Sequence, residues 1–132
     1  MSNSARALAA VNDTPRDPMD RQRLREEWRM KALEHSAARD YADRLKEGKS
    51  ILLDEMVLRL TAPGADGKAM SAVQAERVAR TSEQFRAYVR KMHDAARKAQ
   101  DLSIAAEDAN RAYWELVGVE ADARVERRNS NG

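Results

Sequence analysis

The amino-acid sequence predicts an all-α protein, an antiparallel helical hairpin or coiled coil of two long helices with a short connecting helix. Charged residues make up 35% of the 132 residues and there are only 5 Gly and 3 Pro, a composition typical of long helices. From Phe85 onwards, residues taken three and then four apart form an almost wholly apolar seam, the pattern of a helix that lies along another helix. Its positions are Phe85, Tyr88, Met92, Ala95, Ala99, Leu102, Ala106, Ala109, Tyr113, Leu116, Glu120 and Ala123.

The first long helix is predicted to span about residues 18–60. Residues 1–17 show no periodicity and are expected to form a disordered tail, and Asp17-Pro18 is a typical helix start. Gly48 allows a kink here, but the apolar stripe keeps its phase across it, which favours a continuous helix. The stripe consists of Leu24, Trp28, Leu33, Ala37, Tyr41, Leu45, Leu52, Met56 and Leu60.

Two further helices are predicted after a loop at residues 61–70, which contains Pro63, Gly64 and Gly67. A capping box begins at Ser71, so a short helix is expected at about 72–80. A similar pattern at Thr81 indicates either a new helix or a bend. The last helix is expected at about 82–127, within a single domain of residues 18–128 and with a frayed end at 129–132.

The charge distribution favours antiparallel pairing of the two long helices. Residues 76–98 contain seven Lys/Arg and three Asp/Glu, whereas residues 101–120 contain one Arg and five acids. Residues 16–31 contain six basic and four acidic residues, and residues 32–62 contain five and six. An antiparallel hairpin places opposite net charges side by side at both levels. Exposed ion pairs are weak, so this charge pattern biases register more than stability.

An aromatic cluster is predicted where the hairpin brings Trp28 towards Tyr113 and Trp114. The favoured interpretation is a structural plug in the core, and the alternative is a site on which a ligand stacks.

The predicted core is thin, because five positions of the second seam are alanine. A two-helix hairpin with so little apolar area to bury is marginal. The short helix is expected to pack as a third element, or the chain to form a homo-oligomer such as an antiparallel dimer with basic halves against acidic halves. An intramolecular hairpin and a swapped dimer would use the same contacts.

No catalytic, metal or cofactor site is predicted, and neither is a small-molecule substrate. The chain has no cysteine. The predicted register places His35 near Glu107 and Asp108 and places His93 near Ser50 and Ile51, so the two histidines are far from each other. The stretch 63–68 lacks the spacing of a phosphate-binding loop. No apolar run approaches the length that spans a bilayer, and a cytoplasmic location is expected.

A basic surface is the one candidate for ligand contact. It could bind phosphates, although a solvated face paired with the first helix or a second subunit is favoured. Its residues are Arg77, Arg80, Arg86, Arg90, Lys91, Arg97 and Lys98.

The sequence resembles small all-helical proteins of tailed bacteriophages and prophages in three stretches, which are residues 25–35, Tyr113-Trp114-Glu115 and Glu126-Arg127-Arg128. Such proteins are commonly encoded beside recombination functions. The resemblance covers the layout of residues 21–128, offers no catalytic residues, and implies an accessory, partner-binding role in the host cytoplasm.

The leading hypothesis is a non-enzymatic interaction protein that acts through protein–protein contacts. A nucleic-acid-binding accessory that uses the basic surface is the second hypothesis, and a structural coiled-coil subunit of a larger assembly is the third.

Overall fold

The computed structural model describes residues 18–65 and 67–131, and the predicted tail at 1–17 lies outside them. Helix α1 spans Pro18–Thr61, α2 spans Ala72–Thr81 and α3 spans Glu83–Asn131, and the described residues contain no strand. Two long helices with a short helix between them confirm the predicted all-α hairpin.

The chain divides into two compact units. The turn unit holds residues 32–104, and the terminal unit holds the described residues up to 31 together with those from 105 onwards. Each unit therefore contains a segment of α1 together with the segment of α3 that the charge distribution predicted to lie beside it. In the terminal unit, Arg21 lies beside Glu120 and Trp28 beside Tyr113, so the two helices run antiparallel there.

The core of the turn unit lies beside the loop. Met56, Ala79 and Phe85 are buried together, and the apolar side chains packed against them are Leu52, Leu53, Val57, Leu60 and Val89. Helix α2 contributes Ala75 and Ala79, both 0% exposed. Because alanine has no side chain beyond Cβ, α2 can lie close to its neighbours, and it packs as the predicted third element.

Serine hydroxyls set both ends of α2. The side chain of Ser71 accepts a hydrogen bond from the backbone N–H of Gln74 (3.2 Å), as the capping pattern predicts. The hydroxyl of Ser82 donates to the carbonyl of Ala79 (2.6 Å) and accepts from the N–H of Phe85 (3.2 Å). Ser82 thus ends α2 and begins α3.

The break between α2 and α3 therefore falls at Ser82, one residue after the predicted cap at Thr81. The hydroxyl of Thr81 donates instead to the carbonyl of Arg77 (2.9 Å), inside α2. Glycine is needed once in the loop, at Gly67, whose φ is +73°.

Helix α1 passes through Gly48 without a break, as the continuous apolar stripe favoured. The hydroxyl of Tyr88 on α3 donates a hydrogen bond to the carbonyl of Leu45, three residues before this glycine. A side chain at position 48 would occupy the space of the Tyr88 hydroxyl, so Gly48 admits the tyrosine rather than bending the helix.

The seam of α3 is confirmed at all twelve predicted positions, each of which is buried or half-buried. The predicted stripe of α1 is wrong at Leu33, Ala37 and Tyr41, which are exposed. The covered positions of α1 instead recur in steps of three and four residues. They include Arg21, Leu24, Trp28, Lys31, His35, Ala38, Ala42, Leu45, Lys49, Leu52 and Met56.

The physical reason for this difference is the period. Residues spaced by four drift around an α-helix of 3.6 residues per turn, whereas a seam that follows a partner helix needs a mean spacing of 3.5. Leu33, Ala37 and Tyr41 therefore lie on the flank of the seam.

Helix α3 continues to Asn131, beyond the predicted end near residue 127. The hydroxyl of Ser130 donates to the carbonyl of Glu126 (2.7 Å), so this serine lies within a helical turn. No Gly or Pro interrupts residues 127–131, and the backbone therefore has no local reason to leave the helix.

Candidate functional site

An open groove of about 890 Å³ lies between α1 and α3 in the turn unit. The residues lining it on α1 are Glu34, Ala37, Ala38 and Tyr41, and those on α3 are Ala87, Arg90, Lys91, Asp94, Ala95, Lys98 and Leu102.

Alanines create the groove. Ala37 and Ala38 on α1 and Ala87 and Ala95 on α3 leave space that larger side chains would fill. Only Ala95 among the lining residues is buried. The hairpin therefore encloses little apolar surface at this level and leaves an apolar floor open to solvent.

The two borders of the groove carry opposite net charge. The α3 border has Arg90, Lys91 and Lys98 against the single acid Asp94, whereas the charged residue on the α1 border is Glu34. Arg90 is paired with Glu83 at 2.6 Å.

Lys91 and Lys98 have no ion pair within residues 18–65 and 67–131. Because both are exposed, their ammonium groups are available to a partner that carries acids.

An apolar ridge on α1 borders the groove. Leu33, Ala37 and Tyr41 follow one another at intervals of four residues, and Leu33 is 61% exposed and Tyr41 43% exposed. These residues were predicted from sequence as core, and the structure places them at the edge of the groove instead.

The seven residues of the predicted basic surface are all exposed, but they do not share one face. Arg77 and Arg80 belong to α2, and Arg80 is paired with Glu76 at 2.9 Å. Arg86 and Arg97 lie outside the groove on α3. The remaining three, Arg90, Lys91 and Lys98, form its α3 border.

The structure brings the three predicted aromatic residues together in the terminal unit. The ring centroids of Trp28 and Tyr113 are 5.7 Å apart, and those of Tyr113 and Trp114 are 5.2 Å apart in an edge-to-face arrangement. Trp28 and Tyr113 are half-buried, whereas Trp114 is 57% exposed. Trp114 therefore lies on the surface of the cluster and not in a core plug.

The two histidines lie in different surroundings. His35 is half-buried on α1, and His93 is exposed on α3. The placement of His93 near Ser50 and Ile51 stays a prediction.

Residues 18–65 and 67–131 contain no group of three or more His, Asp or Glu placed to hold a metal ion. In the same part of the chain, no helix is both long enough and apolar enough to cross a membrane.

Sequence reasoning missed the groove, because it assigned Ala37 and Tyr41 to the core. The available signal was the clustering of alanines in both long helices at the same level of the hairpin. Comparisons with protein-family models, with curated proteins and with solved structures each give no match.

Proposed function

We propose that this chain is a non-enzymatic interaction protein that binds a helix of a protein partner in the groove of the turn unit. The groove carries the proposal: it combines an apolar floor of alanines with charged borders between two helices. Proteins that bind amphipathic helices use such grooves, in which small floor residues let the partner's backbone approach closely.

The border charges indicate the chemistry of the partner. Lys91 and Lys98, unpaired among the described residues, favour a helix with acidic side chains beside its apolar face. Such border charges select partners and speed encounter more than they raise affinity. Arg90 is already engaged by Glu83 and contributes less.

The wider setting is also a proposal. The sequence resemblance supports a phage or prophage accessory factor that acts in the bacterial cytoplasm, and a coiled-coil subunit of a larger assembly would use the same groove.

Site-specific photocrosslinking tests the groove. A photoreactive phenylalanine at Ala87, which lines the groove, is expected to capture a partner, whereas the same residue at Ala96 is not. Ala96 is a matched control, because it is an exposed alanine of α3 outside the groove. Equal capture from both positions, or capture from neither, would refute a groove-directed function.

A second candidate, nucleic-acid binding, rests on a different observation. Five of the seven predicted basic residues have no acidic partner within residues 18–65 and 67–131, and all are exposed. These five are Arg77, Arg86, Lys91, Arg97 and Lys98. Exposed unpaired cations are the groups that neutralise backbone phosphates.

A salt-titrated mobility shift separates the two candidates. Arg86→Glu with Arg97→Glu leaves the groove intact, and should abolish any binding that depends on phosphate contacts. Lys46→Glu with Arg59→Glu, both at exposed positions of α1, is the control with the same total change in charge. Binding that falls steeply with salt and is lost in the Arg86 and Arg97 variant but not in this control supports the nucleic-acid candidate. Absence of binding at low salt removes it.

A further inference from the structure

Helix α3 carries a second apolar stripe in the terminal unit, separate from the seam that faces α1. Trp114, Val117, Ala121 and Val125 follow one another at intervals of three or four residues, so they share one face of the helix. At 100° per residue this face lies about a third of the way around the helix from the seam. These four residues are called the outer stripe below.

The outer stripe is covered only in part by the described residues. Val117 and Ala121 are half-buried, whereas Trp114 is 57% exposed and Val125 is 54% exposed. A Cβ on Gly118, which adjoins the stripe, would meet no atom within 4 Å. Neighbouring apolar side chains that remain exposed on a helix indicate a surface that another element contacts.

The chain itself leads away from this surface. Residues 1–17 are joined to α1 at Pro18, and Arg21, one helical turn further, is paired with Glu120 at 2.9 Å. The point of attachment therefore lies level with one end of the outer stripe. Residues 13–17 can extend to about 17 Å, which is more than the roughly 10 Å that separates the axes of packed helices.

The segment beyond this connection has a matching apolar face. In a helical conformation Ala7, Leu8 and Val11 would lie together, and Ala9 would lie on the opposite side. So short a run cannot fold by itself, which is why the sequence alone predicts a tail. A preformed apolar surface supplies the burial that the run lacks.

The charges of the two elements are also complementary. Residues 1–12 contain Arg6 and no acid, whereas residues 107–122 of α3 contain five acids and one Arg. Opposite net charge favours association and sets orientation, although each exposed pair is weak.

We propose that residues 7–11 of the same chain bind the outer stripe as a helical turn and form a third element of the terminal unit. The apolar side chains of this turn cover Val117 and Ala121 and reduce the exposure of Trp114. This inference is independent of the function proposed for the groove, which belongs to the turn unit.

Paramagnetic broadening of NMR signals tests the contact in the whole 132-residue chain. Because the chain has no cysteine, Gly118→Cys provides a single attachment point for a nitroxide beside the outer stripe, in open space. Docking holds residues 7–11 near this label, so their backbone signals are expected to be broadened. Ala7→Glu places a charge on the docking face and should abolish the broadening. Ala9→Glu, the matched control on the opposite face, should preserve it.

Absence of broadening in the labelled parent chain, or equal broadening in Ala7→Glu and Ala9→Glu, would overturn the inference. A mixture of isotope-labelled chain without the nitroxide and nitroxide-bearing chain without the isotope reports contacts between copies. Broadening of residues 7–11 in this mixture would also overturn it, because the outer stripe would then bind a second copy. Circular dichroism checks that helix content is unchanged in each variant.

Discussion

The hydroxyl oxygen of Tyr88 lies 2.5 Å from the point that a Cβ on Gly48 would occupy. The glycine is therefore required by the approach of a side chain from α3, although it lies in the middle of a helix. Gly118 provides the contrast within the same chain, because a Cβ there would meet nothing within 4 Å.

Gly48→Ala is expected to lower the free energy of unfolding, and Gly118→Ala to raise it. Alanine gains about 1 kcal/mol over glycine in a helix interior, but overpacking costs about 1–3 kcal/mol. At Gly48 the overpacking cost exceeds the gain in helix propensity, because the rigid ring of Tyr88 must move and lose its hydrogen bond to Leu45. Urea denaturation followed by circular dichroism measures the free energy of unfolding of both variants.

The removal of the hydroxyl in Tyr88→Phe is the control for this mechanism. In that background Gly48→Ala should no longer destabilise, since the next ring atom lies 3.6 Å away, at ordinary contact distance. Equal stabilisation by alanine at positions 48 and 118 in the wild-type background would contradict the account.

A second prediction concerns the close packing of α2. Ala79→Leu should destabilise the chain by about 2 kcal/mol, because three extra carbons must enter a core in which Ala79 is fully covered by its neighbours. Ala72→Leu makes the same change at an exposed position of the same helix and should alter stability by less than about 0.5 kcal/mol. Thermal unfolding of both variants would measure the difference, and similar melting temperatures would argue against tight packing of α2.

The aromatic cluster gives a third prediction. Trp28→Ala should cost about 2 kcal/mol, somewhat less than for a fully buried aromatic, because the indole is half-buried against Tyr113. Trp114→Ala should cost clearly less, because Trp114 is mostly exposed. Chemical denaturation, followed by the fluorescence of the remaining tryptophan, measures the free energy of unfolding of each variant. A larger loss at Trp114 would mean that its edge-to-face contact with Tyr113 dominates the cluster.

A fourth prediction concerns the one non-apolar position of the α3 seam. Glu120 is paired with Arg21 at 2.9 Å, and the Nε of Arg21 is buried with no hydrogen-bond partner among the described residues. Replacing a partly buried ion pair by apolar residues is often neutral or stabilising. Arg21→Leu with Glu120→Leu should therefore raise stability by about 1 kcal/mol.

Each single replacement of that pair should instead destabilise, because it leaves one charge without its partner. The four members of the cycle can be compared by their urea midpoints. A double replacement that is less stable than the wild-type chain would contradict this prediction.

The sequence predicted the α3 seam position by position, because its large apolar residues and alanines keep a spacing of 3.5 residues. It misplaced part of the α1 seam for a physical reason. At that level the covered residues are His35, Ala38 and Ala42, whereas the more apolar Leu33 and Tyr41 lie outside. Ranking residues by apolarity therefore selects the wrong face.

The groove was missed for the same reason, since it exists because those larger residues stay out of the seam. The position of Gly48 in an unbroken helix was predicted from the phase of the stripe. Its cause, the Tyr88 ring, depends on a contact between residues 43 positions apart, which no local pattern contains.

The clustering of Met56 and Phe85 beside the loop has a consequence for folding kinetics. Bringing these two side chains together closes a short segment of chain, whereas joining Arg21 to Glu120 closes a much longer one. Each doubling of loop length adds about 0.6 kcal/mol of closure entropy. The helices are therefore expected to associate first near the turn, and their pairing is expected to extend from there towards the termini. Substitutions at Phe85 should then slow folding, whereas substitutions at Glu120 should mainly speed unfolding.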